Sequence, residues 1–299
     1  MQTVMSECMF KSMPKIAIVA AMEREVSPLI RSWKVRTLYQ GEHALRRYRL
    51  FESGETALIC GGIGAEAARR ATEALIQEVN PGRVISVGFA GALDASLQIG
   101  DVLMPRHVIN SADGVRTDVG AGDGVLVSSA NVVGKDQKLR FAKAYAAVAV
   151  DMEAAAVAQG AQARGVEFGV IKVISDASNF NMPALDRFVT ADGTFRSVNF
   201  AAHVALRPWL WQTAIALARN SSKASRALCQ AISSYIESYL ERETRGPRIL
   251  PREASREALT TNSSVDEFDS AATQEFAGAH TAAALVPHTQ SKGKQQENR

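Results

Sequence analysis

The sequence predicts an α/β fold in which helices cover both faces of an open sheet. Short apolar, β-branched runs that are typical of buried strands alternate with amphipathic segments of helical length. Glycines and acidic residues follow several of these runs directly. In open α/β sheets ligands bind just beyond the carboxyl ends of the strands, so the same pattern predicts a ligand cleft along one edge of the sheet.

The individual elements follow from the spacing of apolar residues and from turn signals. A first strand at 15–20 leads into a helix that contains Glu25. The predicted strands are 15–20, 46–52, 55–60, 83–87, 101–104, 124–128, 145–150 and 167–174. The predicted helices are 65–79, 135–144, a small-residue segment that ends at about 163, and 207–243 with a break near Asn220.

Composition narrows the class of protein. The chain has 299 residues, 46% of them hydrophobic, and a formal net charge of +3, so it can bury a large core and its charge does not favour nucleic-acid binding. Three widely spaced cysteines, Cys8, Cys60 and Cys229, form neither a disulfide framework nor a zinc pattern and suit a reducing compartment. No apolar run has the length of a membrane span. We expect a cytoplasmic protein.

Acidic residues at the ends of predicted strands are the main candidates for chemistry. Asp151 and Glu153 stand where a strand meets a helix, and capping of the helix start alone explains an isolated acidic pair. Glu25 and Asp176 also follow strands, and burying several unpaired carboxylates in one cleft is costly. A functional cluster is therefore favoured, since a carboxyl with a raised pKa protonates a leaving group and an ionised one activates water.

A glycine loop, Gly61-Gly-Ile-Gly64, lies between a predicted strand and a predicted helix. Its backbone N–H groups are in a position to bind an anion or a sugar hydroxyl. The loop lacks the full dinucleotide-binding fingerprint and the lysine of a P-loop, so a plain tight turn is an equally good interpretation.

Five motifs together resemble the nucleoside phosphorylase superfamily, and in particular its 5′-methylthioadenosine/S-adenosylhomocysteine nucleosidases. They occur between residues 15 and 177 in the family's order: AMEREV at 21–26, GIG at 62–64, AG at 90–91 with GD at 100–101, DMEA at 151–154 and ISD at 174–176. The resemblance implies a three-layer nucleoside-phosphorylase-like fold with a central mixed, twisted sheet flanked by helices. It also implies a homodimer and N-glycosidic bond cleavage without a metal or an organic cofactor.

The resemblance divides the chain into four segments. It implies a catalytic domain at 15–206, followed by a C-terminal helical extension at 207–243. We expect the extension at 1–14 and the polar tail at 244–299 to be disordered.

The resemblance also implies a role for each matching residue. Glu25 corresponds to the general base that activates water at the anomeric carbon, and Asp176 to the acid that protonates adenine at N7, with Ser175 orienting it. Glu153 corresponds to the group that binds the ribose 2′- and 3′-hydroxyls, and Met152 packs against the sugar. The other implied substrate-binding residues are Ile63, Gly64, Ala90, Gly91, Ser128, Val132, Val133 and Asp151.

Several departures from the family's pattern concern the substrate pocket. Phe89 and Ala92 stand where the nucleosidases tend to have Ser and Gly, and Asp151 replaces the more usual Glu. Val132 holds the place of an aromatic residue that normally stacks on the base. The segment 106–124 is short and rich in Gly and Asp, so the wall over the 5′-substituent is expected to be open to a large group.

The C-terminal segment allows two interpretations. Trp209 and Trp211 lie among basic residues within 207–226, a composition that suits contact with a membrane surface and fits a lipid-linked adenosine as substrate. Alternatively, the two tryptophans pack the last helix onto the core, because exposed tryptophan is uncommon.

The leading hypothesis is hydrolysis of an adenine nucleoside with a modified 5′ group. A phosphate-dependent purine nucleoside phosphorylase is the alternative enzyme. Glu25 favours hydrolysis, because its carboxylate would repel phosphate, but the phosphorylases tend to place an Arg on the loop after strand one, where Arg24 lies here. A catalytically weak nucleoside-binding or scaffold protein is the alternative of another class. The missing aromatic residue supports it, and the joint presence of Glu25, Glu153 and Asp176 opposes it.

Overall fold

The computed structural model describes residues 16–40, 46–180 and 211–245, together with Phe188, Thr190, Gly193, Arg196, Asn199 and His203; the side chains of the last helix are described to Glu243. The segment 1–14 and nearly all of 244–299, both predicted to be disordered, lie outside these residues.

The described elements follow the predicted alternation of strands and helices. The strands are β1 (Ile16–Ala20), β2 (Lys34–Gln40), β3 (Arg46–Ser53), β4 (Thr56–Cys60), β5 (Arg83–Ala92), β6 (Val102–Leu103), β7 (His107–Asn110), β8 (Arg116–Asp118), β9 (Val125–Ser128), β10 (Ala149–Asp151) and β11 (Glu167–Asp176). The helices with described bounds are α1 (Glu23–Ile30), α2 (Ala65–Val79), α3 (Lys135–Tyr145), α4 (Ala154–Gln162) and α5 (Trp211–Arg245).

The described strands form one mixed sheet that branches at β5. Along the main path the order is β2-β3-β4-β1-β5-β10-β9-β7-β8, and β11 pairs with both β5 and β6. β1 is parallel to β4 and β5, and β5 is parallel to β11, so these four strands point toward the same edge. β10 instead runs antiparallel to β5 and pairs Val150 with Gly91. From β10 onward the chain therefore runs from the carboxyl end of β5 back toward its start.

Apolar side chains fill a core on each face of the sheet. On β1, Ala17 and Val19 pack with α2 and α4, whereas Ile16, Ile18 and Ala20 pack with α1 and α5. Successive side chains of a strand point to opposite faces, which is why the continuously apolar run of β1 is buried on both sides. The prediction of a mixed α/β sheet flanked by helices, with a helix at the C-terminal end, is confirmed.

The largest differences from the predicted elements concern β5 and the segment 106–124. The strand predicted at 83–87 continues to Ala92, because its last residues keep pairing with β11 and then with β10. The segment 106–124 contains the antiparallel pair β7 and β8, with β7 parallel to β9. The sequence pattern did not reveal β7, β8 or β2; the side chains of β2 are mostly exposed, so that strand has no apolar alternation to detect.

Helix α5 is continuous from Trp211 to Arg245, so the predicted break near Asn220 is wrong. Its residues Ala224, Leu228 and Ile232 have no exposed surface and pack in the core that contains α1. This apolar stripe at helical spacing packs α5 against one face of the sheet.

The start of α5 is exposed to solvent. Trp211 is 50% exposed and Ile215 is 52% exposed, so Trp211 does not pack fully onto the core. Trp209 lies outside the described residues, and contact of 207–226 with a membrane surface stays a prediction. Within the described part of the chain, no helix combines the length and the apolar character needed to cross a bilayer.

Candidate active site

Glu25 lies in the first turn of α1, just beyond the end of β1. Its side chain is 3% exposed, and its Oε2 has no hydrogen-bond partner among the described residues. Burial, followed by repulsion from Glu153, raises the pKa of Glu25 to about 8, and the Lys172 ammonium limits the rise. A buried carboxyl that titrates near neutral pH is suited to exchange a proton with a water molecule.

Helix α5 supports the backbone that carries this carboxyl. Ser225 Oγ donates a hydrogen bond to the Glu25 carbonyl oxygen at 2.9 Å, and Cys229 Sγ donates to the same oxygen at 3.8 Å. The C-terminal helix therefore fixes the position of Glu25 from a distance of about two hundred residues along the chain.

Lys172 lies in the middle of β11 and has no exposed surface. Its Nζ forms an ion pair with Asp151 Oδ2 at 2.8 Å. Burial alone would lower the pKa of Lys172, but the carboxylates of Asp151 and Glu153 raise it above its ordinary value. The charged ammonium therefore balances a group of buried acids.

Gly88 is the residue at which Glu25 and Lys172 converge. A Cβ built on Gly88 would lie 3.1 Å from Glu25 Oε2 and 3.7 Å from Lys172 Nζ. The φ angle of 146° also disfavours any residue with a side chain. Glycine at this position therefore lets the carboxyl and the ammonium approach the same point on β5.

Glu153 connects this group to the glycine loop. Its Oε1 accepts a hydrogen bond from the Gly64 N–H at 2.9 Å, and its Oε2 accepts one from the Met152 N–H at 3.3 Å. Burial raises the pKa of Glu153, Lys172 opposes that rise, and Asp151 adds to it. The carboxyl is held in place by backbone donors next to the site of Glu25.

Asp151 and Ser128 hold the start of α4. Asp151 Oδ2 accepts a hydrogen bond from the Ala154 N–H at 2.9 Å. Ser128 Oγ accepts one from the Ala155 N–H at 2.9 Å and donates one to Asp151 Oδ1. The capping interpretation is therefore correct for Asp151. Both side chains are buried and fix the chain around Glu153, and their contact with a substrate stays a prediction.

Replacing Ser128 with Ala removes this acceptor and leaves the Ala155 N–H buried without a partner. We expect the free energy of unfolding to fall by about 1–3 kcal/mol, measured by urea denaturation. Ser222→Ala is the control, because the Ser222 hydroxyl is exposed and donates only to the Ala218 carbonyl of its own helix. Equal losses in the two variants would argue against a capping role for Ser128.

The glycine loop Gly61–Gly64 uses all four of its N–H groups inside the protein. The first two donate to carbonyl groups at and just past the end of β1, each at 2.9 Å. The Ile63 N–H donates to the Gly193 carbonyl at 2.7 Å, and the fourth donates to Glu153. The tight-turn interpretation is therefore supported, because the loop has no free N–H group to offer to an anion.

Asp176 lies at the end of β11, where a bulge at Ser175 shifts the pairing with Gly91. Lys138 Nζ donates a hydrogen bond to Asp176 Oδ2 and another to the Ala177 carbonyl, the latter at 2.8 Å. Ser175 Oγ donates to Asp176 Oδ1 at 3.0 Å. The predicted acid is therefore one half of an ion pair, with the hydroxyl of Ser175 on its other oxygen.

The remaining predicted site residues differ in their surroundings. Ala90 is buried, and its carbonyl oxygen lies 3.5 Å from Ser175 Oγ. Met152 and Val132 are half-buried, whereas Val133 packs against a small core formed by β9, β10 and neighbouring residues. Part of the Val133 side chain therefore packs in the core. Contact of Ala90, Met152, Val132 and Val133 with a substrate stays a prediction.

Two departures from the family's pattern lie in the cores. Ala92 has no exposed surface and packs in the core with α2 and α4. Phe89 packs against the core that contains α1 and α5. Both side chains therefore contribute to the packing around β5, the strand on which Gly88 and Gly91 lie.

The acids of the site are paired with lysines and backbone groups. Asp151 and Asp176 each form an ion pair with a buried lysine, and Glu153 accepts hydrogen bonds from two backbone N–H groups.

Across the residues that the structure describes, no three His, Cys, Asp or Glu side chains are placed to hold a metal ion.

The sequence analysis did not identify Lys172 or Lys138 as site residues, although each stands at a position where the surrounding pattern predicts an apolar side chain. Lys172 interrupts the otherwise apolar run of a buried strand. Lys138 lies on the same helical face as Phe141, Ala142 and Tyr145, all of which are partly buried. A lysine where periodicity requires an apolar side chain indicates a buried cation with an acidic partner, but the pattern does not identify that partner.

This combination of a branched mixed sheet and buried acids at its edge defines a class of enzyme. The family model described as the phosphorylase superfamily matches residues 15–132 and 119–194. The chain belongs to the phosphorylase superfamily, and it is an enzyme of the nucleosidase and nucleoside phosphorylase class.

Its relatives include nucleosidases. The chain is 29% identical over 198 residues to the 5′-methylthioadenosine/S-adenosylhomocysteine nucleosidase of Staphylococcus aureus, covering 55% of this chain and 87% of the relative. The native futalosine hydrolase of Helicobacter pylori superposes with a TM-score of 0.56 at 18% identity, covering 76% of this chain and 98% of that one. The 5′-methylthioadenosine/S-adenosylhomocysteine nucleosidase of Neisseria meningitidis in complex with methylthio-immucillin-A gives a TM-score of 0.55 at 21% identity, covering 75% and 99%. The two solved structures establish the fold.

Proposed function

We propose that the protein hydrolyses the N-glycosidic bond of an adenine nucleoside with a modified 5′ group and releases adenine. The observation that carries the proposal is the buried Glu25 carboxyl that meets Lys172 at Gly88, with Glu153 near enough to raise its pKa. The nucleosidases of Staphylococcus aureus and Neisseria meningitidis are named for 5′-methylthioadenosine and S-adenosylhomocysteine, which are adenine nucleosides modified at the 5′ position.

Glu25 acts as the general base in this proposal. Its carboxylate accepts a proton from the water that attacks the anomeric carbon. As the C1′–N9 bond weakens, the ribose acquires positive charge, and the carboxylates of Glu25 and Glu153 stabilise that charge. Lys172 offsets part of the repulsion among the acids and so allows them to lie together.

Glu153 binds the ribose. An ionised carboxylate has about four lone-pair positions, and two of those of Glu153 accept backbone N–H groups. Among the residues that the structure describes, the others are available to the 2′- and 3′-hydroxyls. Met152, which is half-buried beside it, packs against the sugar.

Adenine leaves at the Asp176 end of the cleft. The electron pair of the broken C1′–N9 bond stays on the base, and protonation at N7 makes the base a better leaving group. Asp176, oriented by Ser175 Oγ, binds the base at this edge.

Water, not phosphate, is the nucleophile in this proposal. The carboxyls of Glu25, Asp151 and Glu153 all lie close enough to Lys172 to raise its pKa, and in their ionised forms these three acids disfavour a phosphate dianion at this point. The glycine loop supports the same choice, because its four N–H groups already have acceptors within the protein.

The 5′ group is the least constrained part of the substrate. The segment 106–124 is short and forms the β7–β8 pair at the end of the sheet. A pocket that is open on the 5′ side is a proposal that rests on this short length. Assembly as a homodimer, a cytoplasmic location and a place in methionine salvage are further proposals that rest on the family resemblance.

The test is the release of adenine from 5′-methylthioadenosine, with and without inorganic phosphate. We expect adenine and free 5-methylthioribose to appear at the same rate in both conditions. Asp176→Asn should reduce the rate strongly, whereas Asp136→Asn, at an exposed position on α3, should leave it unchanged.

Two results would contradict the proposal, and a third would change the 5′ group of the substrate. A requirement for phosphate, with a sugar 1-phosphate as product, would identify a purine nucleoside phosphorylase. Release only from adenosines with a bulky 5′ group would exclude 5′-methylthioadenosine as the substrate and favour a large group, such as a lipid, at the 5′ position. Binding of nucleosides without cleavage would identify a nucleoside-binding or scaffold protein.

A further inference from the structure

We propose that Lys138 is a catalytic acid of this site: its ε-ammonium, held by Asp176, delivers the proton to N7 of the leaving adenine. This inference rests on the proposed function, because it names the proton donor for the same bond cleavage. It assigns to a lysine a step that the family resemblance assigns to the carboxyl group of Asp176 alone.

The first support is the position of Lys138. The residue is 2% exposed, and its Nζ donates hydrogen bonds to Asp176 Oδ2 and to the Ala177 carbonyl. An ammonium group has three N–H donors, so within the described part of the chain one N–H is left for a ligand. In an ammonium–carboxylate pair the hydrogens are on nitrogen and the carboxylate oxygens are acceptors, so Lys138 is the member of the pair that has a proton to give.

The second support is the way in which the pair faces Gly91. A Cβ built on Gly91 would lie 2.8 Å from Asp176 Oδ2 and 3.2 Å from Lys138 Nζ. Both charged groups therefore approach the same glycine near the carboxyl end of β5. Gly88, which marks the Glu25 end of the site, is three residues away, which is about 10 Å along an extended strand. The two pairs of charged groups therefore meet β5 at two separate points, Glu25 with Lys172 at Gly88 and Asp176 with Lys138 at Gly91.

The third support is the chemical pattern that the pair presents. Lys138 offers a cationic donor, and Asp176 offers an anionic acceptor beside it. The corresponding edge of adenine carries the N7 acceptor beside the 6-amino donor, so Lys138 pairs with N7 and Asp176 with the amino group. A 6-oxopurine presents two acceptors at this edge, and its O6 would face the Asp176 carboxylate. The pair is therefore complementary to adenine.

The proton balance of the step is complete. The C1′–N9 bond breaks and its electron pair stays with the base, while an N–H bond of Lys138 breaks and its proton moves to N7. The oxygen of the attacking water bonds to C1′, and its proton moves to Glu25. Glu25 then releases a proton to solvent and Lys138 regains one, so nucleoside and water give adenine and the free sugar.

The experiment compares two substrates of the full-length enzyme. The first is 5′-methylthioadenosine, whose base requires protonation. The second is 4-nitrophenyl 5-methylthio-β-D-ribofuranoside, whose leaving group departs as a stable anion. The variants are Lys138→Met, which has no proton to donate, and Lys138→Arg, which keeps the charge. The matched control is Lys143→Met, the same change at an exposed position of α3.

We expect Lys138→Met to lower kcat for the nucleoside by about 100- to 10,000-fold, as loss of a general acid does. Cleavage of the nitrophenyl riboside by the same variant should stay within about tenfold of wild type, because that reaction needs no acid. Lys138→Arg should lie between Lys138→Met and wild type on the nucleoside. Lys143→Met should match wild type on both substrates.

Equal losses on the two substrates would overturn the inference, because they would show that Lys138 only supports the structure. Unchanged cleavage of the nucleoside by Lys138→Met would also overturn it and leave Asp176 as the acid. If wild type cleaves neither substrate, the proposed function itself fails, which is a different result from failure of the Lys138 variants alone. The double variant Lys138→Met with Asp176→Asn should lose little more than the single variants, since the two residues act as a unit.

Discussion

Replacing Glu25 with Gln should lower kcat for adenine release by about 100- to 10,000-fold, the usual effect of removing a general base. Glutamine keeps the size of the side chain but cannot accept the proton of the attacking water. The measurement is single-turnover release of adenine, which separates the chemical step from product release. Glu55→Gln, a change in the turn before β4, is the control. Activity within a few-fold of wild type would remove Glu25 from the mechanism.

The pH dependence provides a second signature of the same residue. A base is active in its ionised form, and burial raises the pKa of Glu25 to about 8, so kcat/KM of the wild type should increase with pH up to and through that value. The residual activity of Glu25→Gln should lack this rise. A rise of the same shape in both proteins would assign the titration to another group.

Stability should depend on pH in the opposite direction. The pKa of Glu25 rises from an ordinary 4.5 to about 8 in the folded protein, so the folded state holds this proton more tightly than the unfolded chain does. The contribution of Glu25 to stability is complete below about pH 4.5 and is lost as the pH rises through about 8. The stability of wild type relative to Glu25→Gln should therefore decline across that range in urea denaturation.

Replacing Lys172 with Met should lower the free energy of unfolding by about 3–5 kcal/mol, the usual cost of breaking a buried ion pair by removing one partner. Methionine fills a similar volume, but Asp151 then loses the cation that lies 2.8 Å from its Oδ2. Glu153 and Glu25 lose the same neighbouring cation. Urea denaturation at pH 7 measures the loss.

Two further variants separate the charge effect from packing. Arg69→Met removes a solvent-exposed cation that pairs with Glu66 and Glu73 on α2, and it should cost less than about 1 kcal/mol. Combining Lys172→Met with Asp151→Asn should recover part of the loss, because the second change removes the unpaired charge. If the double variant were as unstable as the sum of the single variants, lost packing would be the cause.

Much of the fold was predictable from the sequence because burial leaves a local pattern. The apolar run of β1, which is continuous, and that of β11, which only Lys172 interrupts, are buried on both faces, and the run at 65–79 has the helical period of α2. The acids at strand ends were predictable in the same way, since a charged residue directly after a buried strand stands out from its neighbours. Glu25, Glu153 and Asp176 were identified on that basis and on the family resemblance.

The direction of β10 was not predictable from its own residues. A three-residue apolar strand looks the same in sequence whether it pairs parallel or antiparallel. Because β10 runs antiparallel to β5 and pairs Val150 with Gly91, the residues after it return along β5. That reversal carries Glu153 to the edge where Glu25 lies.

The sequence by itself determined most of the buried strands, the helices that cover them and the acidic residues at strand ends, because apolar periodicity is a property of neighbouring residues. Only the tertiary structure decided which cation each acid meets: Lys172 for Asp151, and Lys138 for Asp176. It also placed Ser225 of α5 under the carbonyl of Glu25. Electrostatic partners depend on distances between segments that are far apart along the chain, and a local pattern carries no information about those distances.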